Sequence, residues 1–191
     1  AFNSTLNVYD STFSGNQSTT SGGGGIAVYQ STGTATATVA NSTFSANTTG
    51  SDGGGIWNYN GTLTLVNSTL SGNGATSAGG GLNDYGGTTH VKNTVMANST
   101  SGLDCDSALG LATSLNNLFE TGDLCGSSVS ALDPNLSPLA NNGGTTQTFA
   151  LLPGSPAIDA GDDATCTAAP VGGLDQRGVI RTYGAHCDIG A

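Results

Sequence analysis

The chain has 191 residues, only 8% of them charged, and its three basic residues stand against 13 acidic ones for a net charge of −10. That balance argues against nucleic acid, which demands clustered Lys and Arg, and against acidic membrane surfaces. No stretch approaches the roughly 20 apolar residues of a helical membrane span, and 36% hydrophobic residues on a steady period argue against disorder.

The start, Ala1-Phe2-Asn3, has no basic or apolar leader, and Thr5-Leu6-Asn7-Val8-Tyr9 already reads as strand. Both ends therefore read as cuts in a longer protein or as contact faces. Asp10-Ser11-Thr12-Phe13-Ser14-Gly15-Asn16 then opens a motif that returns as Asn41 to Asn47, as Asn67 to Asn73 and as Asn93-Thr94-Val95-Met96, in steps of 31, 26 and 26 residues. A second landmark, Gly23-Gly24-Gly25-Ile26, returns as Gly53-Gly54-Gly55-Ile56 and Gly79-Gly80-Gly81-Leu82. Units this short cannot each bury a core, so they must stack and share one.

One unit, Thr62 to Gly87, predicts the coil. Thr62-Leu63-Thr64-Leu65-Val66 alternates like a half-buried strand, Asn67 turns, Thr69-Leu70-Ser71 forms a second strand, and a third begins at Leu82 after Gly72-Asn73-Gly74 and Ser77 to Gly81 return the chain. Three short strands per 26 residues, with no window of helical spacing, describe an all-β chain wound as a parallel β-helix. Superposed copies predict three interior stacks: Val8, Val39, Leu65 and Val91; Phe13, Phe44, Leu70 and Met96; Ile26, Ile56 and Leu82. At about 4.8 Å per coil, four coils span roughly 20 Å.

Asn41, Asn67 and Asn93 align with Asp10, and a column of amides there is expected to hydrogen-bond from coil to coil. The glycine runs fit corners that need positive φ or close approach. Trp57 and Tyr59 flank Asn58 in the third strand, with Tyr29 and Tyr85 at nearby register; this aromatic strip reads either as a surface for sugar rings or another subunit, or as cover for glycine corners. Of the eight Asn-x-Ser/Thr sequons, at Asn3, Asn16, Asn41, Asn47, Asn60, Asn67, Asn98 and Asn135, several read as by-products of the repeated turn rather than glycan sites.

From Gly102 the rhythm fades. Leu115 to Phe119 reads as one last irregular strand, 133–144 as a loop, Thr145 to Leu152 as a strand, and the rest as extended loops packed on the solenoid. Residues 1–101 thus form the repeat coils, and residues 102–191 a last irregular coil with a loop-rich cap, packed as one continuous unit. Four cysteines allow three pairings, and the spacings Cys105 to Cys125 and Cys166 to Cys187 suggest two sequential disulfides. Loops of this size would each contribute about 3 kcal/mol, and disulfides imply export. Arg177 and Arg181, among nearby acids, are expected to tie the cap together.

The paired landmarks resemble the FxxN and GGA[ILV] repeats of the polymorphic outer-membrane protein type, in the right-handed parallel β-helix superfamily; that resemblance implies the hand of the coil. Leu132-Asp133-Pro134, Leu139 to Thr145, Ala150 to Gly161, Asp175-Gln176-Arg177-Gly178 and Cys187 to Ala191 resemble, in that order, the choice-of-anchor Q domain of bacterial surface proteins. This implies an exported bacterial product held at or released from the cell surface.

The residues offer no catalytic constellation. Lys92 is the only basic residue of the repeat region, Asp10, Asp52 and Asp84 sit at turn or strand-end positions far apart in register, and Asp162-Asp163 and Asp104/Asp106 read as solvated or capping loop residues. His90 and His186 lack partners at metal-ligand spacing, and no cofactor is expected beyond calcium at Asp159-x-x-Asp162-Asp163. The expectation is a non-enzymatic, exported, extracellular structural protein of a filament, sheath or adhesin, self-associating head to tail. The alternative is a polysaccharide-binding or polysaccharide-cleaving surface module.

Overall fold

A computed structural model describes residues 1–123, 125–126, 128–181 and 184–191. The first coil contains β1 (Thr5–Tyr9), β2 (Thr12–Ser14), β3 (Gln17–Ser18) and β4 (Ile26–Tyr29). The second contains β5 (Thr36–Ala40), β6 (Thr43–Ser45), β7 (Thr48–Thr49) and β8 (Ile56–Tyr59), and the third β9 (Thr62–Val66), β10 (Thr69–Ser71), β11 (Gly74–Ala75) and β12 (Leu82–Tyr85). β13 (Thr88–Lys92), β14 (Val95–Ala97) and β15 (Cys105–Ser107) form the fourth. β16 (Thr113–Leu115), β17 (Leu118–Phe119) and β18 (Gly122–Asp123) add a shortened turn, and α1 (Asp163–Thr167) lies in the C-terminal segment.

All strand pairing between coils is parallel, in the four sheets β1-β5-β9-β13-β16, β17-β14-β10-β6-β2, β11-β7-β3 and β18-β15-β12-β8-β4. The chain is thus a parallel β-helix with about 26 residues per turn, and its core lies inside the coil. Each wall is filled from one register. Val8, Val39, Leu65 and Val91 pair in succession. Phe13, Phe44, Leu70, Met96 and Phe119 do the same, as do Ile26, Ile56, Leu82 and Cys105. The Phe13 and Phe44 rings stack with centroids 4.9 Å apart, and Leu65, Val91, Met96 and Ile56 are fully buried. Two-residue strands β3, β7 and β11 supply a fourth short side to the coil that the three-strand reading lacks.

The amide column lies elsewhere than expected. Asp10, Asn41, Asn67, Asn93 and Asn116 all adopt left-handed backbone conformations, with φ between 42° and 49°, at the corner where each coil leaves its five-residue strand. Asn and Asp tolerate that conformation better than other residues with a Cβ. The side chains of Asn41, Asn67, Asn93 and Asn116 turn outward to the C-terminal segment. Asn41 donates to the Leu174 carbonyl at 3.0 Å and accepts from Arg181 at 2.8 Å. Asn93 donates to the Asp162 carbonyl and accepts from the Asp162 N–H, and Asn116 donates to the Ala160 carbonyl. Asn67 points its amide at Cys166 Sγ, 3.2 Å away.

The coil-to-coil ladder is made instead by the last residue of the motif, Asn16, Asn47 and Asn73. Asn16 Nδ2 donates to Asn47 Oδ1 at 2.8 Å and Asn47 Nδ2 to Asn73 Oδ1 at 3.0 Å. Each oxygen also accepts the main-chain N–H of the Asn one coil earlier, while Nδ2 of Asn47 and Asn73 reach the carbonyls of Phe13 and Phe44. An inward amide can thus satisfy buried corner groups that have no strand partner.

The C-terminal segment departs further from expectation. Thr145 to Leu152 makes only isolated antiparallel bridges, Ala140 to Thr148 and Leu136 to Leu151, because these residues pair within their own loop rather than with the coil. Leu115 to Phe119 is broken by Asn116 into β16 and β17. α1 appears where extended loop is expected, with Asp162 accepting from the Thr165 N–H as its N-cap. The disulfides join Cys105 to Cys125 and Cys166 to Cys187. The segment covers the outer face of the β2-β6-β10-β14-β17 sheet: Ala157 and Ile189 pack on Val95, Ala97 and Leu118, and Gln176 bridges Thr12 and Thr43.

Replacing Asn47 with Ala removes a side chain that bonds four groups inside the coil. The expected loss is roughly 2–4 kcal/mol in urea unfolding, against about 1 kcal/mol for Asn16→Ala at the exposed end of the ladder. Equal midpoints for Asn47→Ala and the parent would show that the ladder contributes nothing.

Candidate functional site

Two outer surfaces and one interior cluster carry the polar and aromatic side chains that recognition or chemistry needs. On the β4-β8-β12 sheet the strand alternation turns Tyr29, Tyr59 and Tyr85 outward at one register and Ala27, Trp57 and Asn83 at the next. Phe2, Tyr29, Tyr59 and Tyr85 form one column of stacked rings, with centroids 5.3, 5.0 and 5.4 Å apart and interplanar angles of 9° to 15°. The axial strand separation is close to the preferred spacing of offset-stacked rings, so each pair adds about 0.5–1.5 kcal/mol beyond its burial.

The stacking limits what the inner rings can offer to a sugar. Both faces of Tyr29 and both faces of Tyr59 are taken by their neighbours, and free faces remain only on the terminal rings, Phe2 and Tyr85. Trp57 tilts between Tyr29 and Tyr59 and lies over Gly22, where an added Cβ would stand 2.3 Å from the indole. Its Nε1 is buried without a hydrogen-bond partner, which makes Trp57 cover for a glycine corner. The strip thus serves largely as coil cladding.

The second inward register of the same wall is polar after Val28. Asn58, Asp84 and Ser107 follow Val28 inward at one register, and Asp84, read as a turn or strand-end residue, is 1% exposed. Asn58 donates to Asp84 Oδ1 at 3.0 Å and Ser107 to Oδ2 at 3.2 Å. Desolvation by burial pushes the Asp84 carboxyl above its ordinary range, and the bonds from Thr89, Ser107, Asn58 and the Gly87 main chain pull the other way. Asn83 precedes Asp84 as Trp57 precedes Asn58, so the alternation of the strand was enough to place it inside.

Several other acids are committed to structure. Asp104, read as a solvated or capping loop residue, is fully buried and accepts from the N–H groups of Ser99 and Thr121, while Asp106 lies beside it in β15. Asp159 accepts from the His186 N–H, Asp162 caps α1, and Asp163 binds the Cys187 N–H and His186 Nδ1. The calcium reading of Asp159, Asp162 and Asp163 gains no support from these separate tasks, and among the described residues no group of three or more His, Cys, Asp or Glu is placed to hold a metal ion. The hydrogen bond to Asp163 raises the exposed His186 imidazole and lowers its partner.

The two arginines hold the cap. Arg177 pairs with Asp175 at 2.6 Å. Arg181 is buried, bound to the Leu174 and Gly190 carbonyls and to Asn41, and desolvation lowers it to about 10, still charged at neutral pH.

On the β5-β9-β13-β16 sheet the outward register carries Thr64, His90 and Thr113, and beside them Val66, Lys92 and Leu115. α1 and residues 168–171 form the opposing wall of a groove of about 610 Å³, anchored where Val171 packs on Ala40 and Val66. His90 Nδ1 lies 2.9 Å from the Thr113 hydroxyl. Among the sequons, Asn41, Asn47 and Asn67 are buried, and Asn3, Asn41, Asn60, Asn67, Asn98 and Asn135 hold left-handed turns, in line with their reading as turn residues.

Two substitutions test this arrangement. Gly22→Ala displaces the indole of the single tryptophan, with an expected red shift in its fluorescence and a loss of about 1–3 kcal/mol; an unshifted emission would contradict the packing. For Asp84, a raised pKa means that the folded state binds the proton more tightly than the unfolded state. Stability is therefore expected to fall as pH rises from the ordinary carboxylate range through the raised value, and to level off above it. Asp84→Asn should flatten that slope in unfolding curves taken from pH 3.5 to 7, and an unchanged slope would refute the assignment.

Residues 10–29 and 41–59 match the model of the Chlamydia polymorphic membrane protein repeat. No curated protein and no solved structure shows a significant match. No helix among the described residues is long and apolar enough to cross a membrane. The matched stretches coincide with the FxxN corner and the Gly-Gly-Gly-Ile return of two successive coils, so the repeat of the β-helix is similar to that of the Chlamydia polymorphic membrane proteins.

Proposed function

We propose that the chain is a β-helical segment of an exported bacterial surface protein, with a structural rather than catalytic role. The observation that carries this reading is the pair of polymorphic membrane protein type repeats on successive coils of one continuous solenoid. The resemblance of the C-terminal run to the choice-of-anchor Q domain supports display at the cell surface, and two disulfides in a chain without a free cysteine suit an oxidising compartment. The hydrogen-bonding commitments of Asp84, Asp104, Asp162 and Asp163 support a scaffold over a hydrolase or lyase.

Within that role the segment belongs to a filament, sheath or adhesin. A coil of parallel strands presents main-chain groups in register for a further coil, and a neighbouring copy stacked head to tail would supply one. Antibodies raised against the folded chain test the surface assignment: intact and permeabilised cells are expected to label equally. Labelling confined to permeabilised cells would remove the surface role. Electron microscopy of material released from cells then separates fibres, which support head-to-tail assembly, from single particles, which count against it.

A further inference from the structure

We propose that the groove between the β9-β13-β16 face and the α1 segment binds a glycan bearing carboxylates, of the uronic acid class. The chain has three basic side chains, and two are engaged: Arg177 with Asp175, Arg181 with two carbonyls and Asn41. Lys92 is the third. Its side chain emerges between Val66 and Leu115 on the groove floor, and among the described residues no carboxylate lies within ion-pair distance of it. In a chain of net charge −10 an ammonium without an intramolecular carboxylate partner among the described residues, in a concave site, is a place where a negative group is locally attracted.

The rest of the lining selects the kind of anion. The lining combines Thr64, Thr113 and Thr165 with Leu115, Pro170 and Val171, the mix of hydroxyl and apolar groups that suits a pyranose ring with its hydroxyl edge and C–H face. The volume of about 610 Å³ falls within the range of small-ligand sites, about 300–1,000 Å³. The Asp162 carboxylate, which also lines the groove, is occupied by the Thr165 N–H and hydroxyl, so its charge is partly neutralised by donors. His90 Nδ1 is held by Thr113, which leaves the other ring edge for a sugar hydroxyl.

The test is calorimetric titration of the purified 191-residue chain at pH 7 with trisaccharides of galacturonic, glucuronic and mannuronic acid, beside neutral galactose and glucose trisaccharides and inorganic phosphate. At least one uronate is expected to bind, more weakly as salt rises, and at least about tenfold more tightly than its neutral counterpart. Lys92→Gln should lose that margin and Lys92→Arg retain most of it, while Arg177→Gln, outside the groove, leaves binding unchanged. Thr64→Glu, which adds a carboxylate to the floor at an outward position, should abolish binding even if Lys92→Gln folds poorly. Failure of all three uronates, equal affinity for neutral sugars, phosphate binding as tight as uronate, or binding untouched by Lys92→Gln and Thr64→Glu would each overturn the proposal. Because the measurement uses purified protein, its outcome is independent of whether the chain resides at the cell surface.

Discussion

Parallel hydrogen bonding along the coil axis obliges every residue to sit above its counterpart one turn away, and the rest of the molecule follows from that registration. A column can hold only side chains that tolerate a copy of themselves, or something near it, about 4.8 Å away. Aliphatic groups, flat rings and amides meet this condition, which is why the interior repeats Val, Leu and Phe and the corners repeat Asn. Charged groups do not meet it, and a charged fraction of 8% is the compositional result. Lys92 and His90 enter the regular face as single interruptions, bracketed in register by Thr, Val and Leu.

Two corner asparagines of the motif, six residues apart on the same turn, solve different problems. The first, at Asn41 or Asn67, is needed for its backbone: the chain must swing through a left-handed conformation, and the amide is left to face outward. The second, at Asn47 or Asn73, holds the inward position where main-chain groups lack a strand partner, and its amide replaces the missing ladder bonds. A repeat can therefore drift in its hydrophobic residues, as Phe13 becomes Leu70 and Met96, while the corner amides persist until the fourth turn, where Ser99 replaces the second one.

The sequence carried the coil period, the interior columns and the cysteine spacing because each depends on strict repetition, which a single chain displays against itself. It carried less where repetition stops or where two equivalent residue types compete. Asn41 and Asn47 recur with equal regularity, and only the backbone angle tells which amide turns inward. The inward direction of Asp84 is hard to read because an acid at an inward position contradicts expectation, although Ile56-Trp57-Asn58 one turn earlier shows a polar residue in the same slot. The groove was illegible for a stronger reason: its floor comes from residues 64–115 and its wall from residues 162–171, and no periodicity relates α1 to the strands it faces.

The outward asparagines have a mechanical consequence. Asn41, Asn67, Asn93 and Asn116 belong to successive turns of the coil, and all are gripped by one C-terminal segment running across them. That segment acts as a splint. A solenoid without it would unwind under tension one turn at a time, each turn breaking alone, whereas a splint laid across the turns loads them together in shear. Strength then scales with the number of turns gripped, and a rod of only a few coils gains the toughness of a longer one.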